Sequence, residues 1–143
     1  MNDRTQLTLD EKADVVRRVF SHLAQREPDK AITSFHPDAV FDFTRSRGPD
    51  RGTFVGHGEI QKSWAKPLGT WVEWALKPDD FLALEDGRVL FSLRGRMVGR
   101  DEIELHVSAA HIWTFRHDLV AKADFFQSRE DALAAAGLAD EPG

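Results

Sequence analysis

Three side chains in this sequence have the types and settings for proton-transfer chemistry: His111, Asp42 and Asp124. An imidazole working with a carboxylate is a common pairing for general acid–base catalysis. His111 has the most unusual surroundings. Across 103–115, Ile103, Leu105, Val107, Ala109, Trp113 and Phe115 alternate with Glu104, His106, Ser108 and Thr114, the period of a half-buried strand. His111 falls on the apolar side of that alternation, between Ala109 and Trp113. A polar ring buried there must find a partner or it costs stability. Asp42 and Asp124 sit in two shorter strand-like segments, 39–44 and 119–126. Trp113, Trp64, Phe20, Phe43 and Phe91 are the large apolar side chains expected to line a pocket beside them.

Other chemistries lack their signatures. There is no cysteine, so thiolate and disulfide chemistry are excluded. His106 and His111 are five apart on one strand and point to opposite faces, so they cannot share a metal ion. No H-x-H or H-E-x-x-H spacing, glycine-rich phosphate loop or G-x-S-x-G turn occurs. No metal and no cofactor is expected. The formal charge of −5 argues against a nucleic-acid partner. The polar start and the lack of a long apolar run argue against a signal peptide or a membrane span, so a cytoplasmic protein is expected.

The elements that must position these residues read in order. Thr8-Leu-Asp-Glu11 is a capping box, followed by Ala13, Val16, Phe20 and Leu23 at helical spacing, with Val15 and Val19 widening the stripe. Pro28 ends this helix and can open a second, carrying Ala31, Ile32 and Phe35 and ended by Pro37. The strand at 39–44 leads into an arginine-rich loop at 45–52 that could bind an anion but reads better as solvated charge. A further helix runs from about residue 57, with Ile60, Trp64 and Leu68 on one side and a stop or kink at Pro67 and Gly69. Residues 70–76 fit either helix or strand. Strand 81–84 and the turn at 85–87 follow, then a strand with Val89, Phe91, Leu93 and Met97 on one face. Arg88, Ser92, Arg94 and Arg96 form its other, solvated face. Ser128 caps a closing helix at 129–136, ended by Gly137.

Helices followed by a run of antiparallel strands make one α+β domain over 1–143. The long strands and the interior Gly95 favour a curled sheet. About three N-terminal and central helices and a short C-terminal one would close it into a cone with an apolar interior.

With this order of elements, the segments HPDAVFDFTRSRGPDRG (36–52), AHIWTF (110–115) and ADFFQSREDALAAAGL (123–138) resemble the nuclear transport factor 2-like superfamily, and within it the SnoaL-like proteins. The resemblance covers nearly the whole chain and implies the cone fold. It does not imply one activity, because the fold hosts isomerases, cyclases, epoxide hydrolases, dehydratases and non-catalytic binders. The base of the ketosteroid isomerases matches Phe43, one residue from Asp42, and one step along a strand reverses the face. The isomerase phenol matches Val19, and the hydrogen-bond-donating acid matches His111. The W-R-D-Y-F-D pattern of epoxide-hydrolase relatives meets Lys122-Ala123-Asp124-Phe125-Phe126-Gln127, which keeps only the first aspartate. Their Arg-x-Asp meets Arg94-Gly95-Arg96. The aspartate and histidine of polyketide-cyclase relatives are the closest template, with Asp42 or Asp124 beside His111.

The expectation is therefore a pocket protein for a small hydrophobic molecule, with acid–base catalysis of isomerase, cyclase or hydratase type as the first reading. The alternative is a non-catalytic ligand-binding or dimerisation domain. A homodimer is expected because the second face of the long strand pair carries Leu90, Val98, Ala110 and Ile112.

Overall fold

Thr8 opens the first helix as the sequence predicts. Its hydroxyl accepts from the Glu11 amide at 3.2 Å, and the Glu11 carboxylate accepts from the Thr8 amide at 2.9 Å. In this computed structural model, which describes residues 7–44 and 52–138, helix α1 spans Leu9–Ala24. It buries Ala13, Val15, Val16, Val19, Phe20 and Leu23, the stripe read from their spacing, and also Lys12. Helix α2 (Pro28–Ala31) and a 3-10 turn (Ile32–Ser34) lead into strand β1 (Phe35–Asp42).

Among the described residues six strands form one mixed, curved and unclosed sheet in the order β2-β1-β6-β5-β4-β3. The remaining strands are β2 (Thr53–Val55), β3 (Trp71–Ala83), β4 (Val89–Gly99), β5 (Glu104–Arg116) and β6 (Leu119–Phe126). Helix α3 (Gly56–Thr70) joins α1 against the inner face. There Phe20, Phe35, Phe41, Trp64, Phe91 and Trp113 share one core. The short helix α4 (Arg129–Ala135) lies on the outer face, where Ala132 and Leu133 cover Leu90, Ala110, Ile112 and Phe126. Ser128 caps it by accepting from the Asp131 amide at 3.1 Å. Arg129 donates to the Ser92 hydroxyl and the Asp80 carbonyl, both at 2.9 Å.

Gly95 is required where β3 and β4 meet. Its φ is +153°, and a Cβ there would lie 1.9 Å from the Ala75 carbonyl oxygen. Arg96 pairs with Glu73 and Glu104 and Arg94 with Asp79 and Asp80, so this part of the outer face is solvated as expected, whereas Ser92 on the same face is buried beneath Arg129.

Several sequence expectations are corrected. The first strand begins at Phe35, not at 39, and contains Pro37 rather than following it. Its pairing with β6 shifts between Phe35 and Val40, and an irregular stretch of this kind tolerates a proline. Residues 71–76 belong to β3, a long strand. As an edge strand, β3 accommodates Pro78, whose missing N–H need not serve a second neighbour. The sheet is not wholly antiparallel, since β1 and β6 run parallel. Strand β5 is buried on both faces from Ala109 to Trp113, not on one, because α4 covers the second face. Towards its start, Ile103 and Leu105 are 62% and 45% exposed. The arginine-rich loop lies outside the described residues except for Gly52.

Candidate functional site: His111 in an aromatic interior

Strand β5 lies between β4 and β6, and register alone supplies His111 with two aromatic neighbours. Phe91 is its partner on β4 and Phe125 its partner on β6. The Phe91 ring stacks on the imidazole at 5.3 Å and 12°, while Phe125 meets it edge-on at 5.5 Å. Phe20 reaches down from α1 at 6.0 Å. Phe41, in β1, and Phe43, just beyond its end, approach to 6.5 and 6.3 Å. Trp113 completes a set of six rings at 6.2 Å. His111 is left 2% exposed.

One hydrogen bond fixes the chemistry of this ring. The Trp113 indole N–H donates to His111 Nδ1 at 3.0 Å. Indole is a donor only, so Nδ1 must be the unprotonated nitrogen. Loss of solvent around the ring pushes the His111 pKa from 6.5 down to about 3. At neutral pH the ring is therefore neutral, its proton is on Nε2, and its one lone pair is already taken by Trp113. His111 is a hydrogen-bond donor and not a base. Nε2 has no protein acceptor among the described residues. Among those residues Trp74 Nε1 is also enclosed without a hydrogen-bond partner. Trp74 belongs to the same inner face, since it pairs in register with Met97, which pairs with Leu105. Neither N–H has a protein acceptor among the described residues, and the two stand apart, with Trp74 at the level of Leu105, six residues along β5 from His111.

The two aspartates are elsewhere. Asp42 and Asp124 are register partners on the parallel strands β1 and β6, and Asp124 is also the partner of Ile112 on β5. Neighbours in register share a face, and Ile112 lies on the α4 side. Both carboxylates therefore point away from the side that holds His111. Asp42 accepts from the Thr44 amide at 2.9 Å and from its hydroxyl at 2.6 Å. Asp124 lies 3.6 Å from the Lys122 ammonium. The expected Asp–His pairing does not form with either residue. The isomerase base position is filled by Phe43, whose ring stacks on Phe125 at 4.7 Å.

Of the expected lining residues, Phe20, Phe43, Phe91 and Trp113 surround His111. Trp64 sits one layer back, against Phe35 at 5.6 Å and Phe41 at 6.2 Å. Sequence reasoning did not single out Phe41 or Phe125. Phe41 could have been found from its spacing to Phe43, but Phe125 depends on strand register, which one sequence does not reveal. Among the described residues, no group of three or more His, Asp or Glu side chains is placed to hold a metal ion.

The depressed pKa makes acid stability a readout of this site. An unfolded chain takes up a proton on His111 below about pH 6.5, whereas the folded ring resists it down to about 3. Its contribution is complete above 6.5 and is lost progressively between those values, at about 1.4 kcal/mol per pH unit. His111→Phe leaves the Trp113 N–H without an acceptor and should lower stability at pH 7 by about 1–3 kcal/mol. It should also lose about 2 kcal/mol less than the parent between pH 6.5 and pH 5. Urea unfolding of both proteins at several pH values checks this, and parallel acid limbs would contradict it.

Residues 16–123 match the SnoaL-like domain family. No protein of curated function matches the sequence. An ntf2-like protein of unknown function from Burkholderia pseudomallei K96243 is similar, with a TM-score of 0.70 at 17% identity over 87% of this chain and 95% of its own. TerC, co-crystallised with polyporic acid, also gives 0.70 at 17% identity, over 92% of this chain and 99% of its own. A protein described as a SnoaL-like polyketide cyclase from Shewanella putrefaciens CN-32 gives 0.67 at 14% identity, over 88% and 97%. These likenesses carry the fold and no single activity. The family match spans most of the chain, including β1, β4, β5 and His111, and on it the chain belongs to the SnoaL-like domain family.

Proposed function

We propose that this protein binds a small hydrophobic molecule inside the cone and orients it by a hydrogen bond from His111 Nε2–H to an acceptor oxygen. The observation that carries this reading is the pairing of Trp113 with Nδ1, which commits the other nitrogen to donating. A carbonyl or ether oxygen on an aromatic or alicyclic frame matches one N–H group set among phenylalanine rings. The relative crystallised with polyporic acid makes a small organic ligand a natural choice for the fold.

The geometry favours binding over acid–base turnover through the aspartates, because Asp42 and Asp124 share the opposite face. A carbonyl held by His111 would be polarised, but neither of these carboxylates is placed to take its α-proton. The test compares 1-tetralone with tetralin, its parent hydrocarbon, by tryptophan fluorescence titration. The ketone should bind roughly threefold to tenfold more tightly than the hydrocarbon, the worth of one neutral hydrogen bond. His111→Phe should remove that preference and keep hydrocarbon binding. Equal affinities in the parent protein would reject the reading.

The proposal also takes the protein as a homodimer, on grounds different from those expected. Leu90, Ala110 and Ile112 are covered by α4 of the same chain and are not available to a partner. Among the described residues the exposed large apolar side chains are Leu9, Val55, Val72, Ile103, Leu105 and Leu138, and of these Ile103 and Leu105, 62% and 45% accessible, stand together where β5 begins. Light scattering after size exclusion should give twice the 16.2 kDa chain mass. The double change Ile103→Glu with Leu105→Glu should give the single mass, and a monomeric parent would reject the dimer.

A further inference from the structure

A second set of polar groups gathers at the β3–β4 turn, near the end of β5 and apart from His111. A cleft of about 250 Å³ there is lined by Lys12, Asp86, Gly87, Arg88, Thr114, Phe115, Arg116 and His117. Lys12 is the unusual member. It lies on the buried stripe of α1 and is only 8% exposed. Its ammonium donates to the Gly87 carbonyl at 2.6 Å and sits 5.7 Å from the centre of the Phe115 ring. Among the described residues it has no carboxylate partner, although the chain carries 24 acidic residues against 19 lysines and arginines. One of its three N–H donors is used by Gly87, and a nearly buried cation without a counter-ion is costly.

Arg116, exposed at the rim of the same cleft, has an unusual neighbour. Its Nη1 lies 3.1 Å from His36 Nε2, while His36 Nδ1 lies 3.1 Å from the Asp38 amide nitrogen. The guanidinium and the amide can only donate, and a neutral imidazole has one acceptor nitrogen. One of these donors is therefore left over. Arg116 also has no carboxylate partner among the described residues. The carboxylate in the lining is committed elsewhere. Asp86 accepts from the Arg88 amide at 3.1 Å and from its guanidinium at 2.7 Å. The first of these contacts is the chief reason its carboxyl is held below the usual range.

We propose that this cleft is a binding site for a small oxyanion, a carboxylate or phosphate group, held by Lys12 and Arg116. A group of that kind supplies several acceptor lone pairs and the negative charge that both cations lack. A lysine retained only to anchor α1 to the turn would need the Gly87 carbonyl but no anion.

The test is thermal unfolding of the full chain at fixed pH and fixed ionic strength, exchanging sodium chloride for inorganic phosphate in one series and for succinate in another. A saturable rise in Tm of roughly 4 °C at tenfold excess over the dissociation constant is expected in one or both series. A response to phosphate alone assigns a phosphate group, and a response to succinate alone assigns a carboxylate. Lys12→Met should abolish the increment whatever its effect on the starting Tm. Arg116→Gln, an exposed change that leaves the core intact, should weaken apparent affinity roughly tenfold. No saturable response to either anion, or an equal response in both variants, would overturn the proposal.

Discussion

The donation from the Trp113 indole to His111 Nδ1 is the interaction on which the interior depends. In water both tautomers of a neutral imidazole are populated and interconvert, but six aromatic rings remove the solvent that would average the choice. Inside that ring set the single available lone pair must satisfy the indole, because a buried indole N–H without an acceptor costs about 1–3 kcal/mol. The opposite tautomer would set two N–H groups against each other at 3.0 Å. Protonation is equally disfavoured, since burial opposes the charge and pushes the pKa to about 3. The surrounding aromatic pairs, each worth about 0.5–1.5 kcal/mol beyond the area they bury, offset the cost of keeping one polar ring among them. Packing and hydrogen bonding thus fix a charge state, a tautomer and a direction of donation together.

The rest of the fold serves that arrangement. Strand β5 must be interior to the sheet so that Phe91 and Phe125 can flank His111 in register. Helix α1 must lie on the inner face so that Phe20 can close over the ring. Gly95 lets β3 and β4 come together where any side chain would strike the Ala75 carbonyl. Helix α4 covers the opposite face and keeps the centre of the sheet dry on both sides. The same pleat that turns His111 inward turns Asp42 and Asp124 outward, and so it separates the imidazole from both carboxylates.

Much of the architecture was legible in residue patterns. The capping box and apolar stripe located α1, the alternation located β4 and β5, and Ser128 marked the start of α4. The position of His111 on the inner face followed from period two alone. Other features were hidden because they depend on contacts between distant segments. The parallel pairing of β1 with β6 places Asp42 beside Asp124, and nothing local to either segment announces it. Pro37 reads as a helix breaker, yet it lies within β1 where the β1–β6 register shifts. Ala110 and Ile112 looked like a surface for a second copy because a seven-residue helix gives little sign of where it will dock. Lys12 falls on an apolar helical stripe, where a lysine usually reads as an interruption with its charge drawn out to water.

The central claim is that His111 is a neutral ring with its proton held on Nε2. Long-range 1H–15N correlation of the imidazole, assigned by comparison with His111→Phe, reads both nitrogens directly. The account predicts a pyrrole-type shift at Nε2 and a pyridine-type shift at Nδ1, both unchanged as the pH falls from 7.5 to 5. A protonated Nδ1, or a pair of averaged shifts titrating near the ordinary histidine value of 6.5, would contradict it.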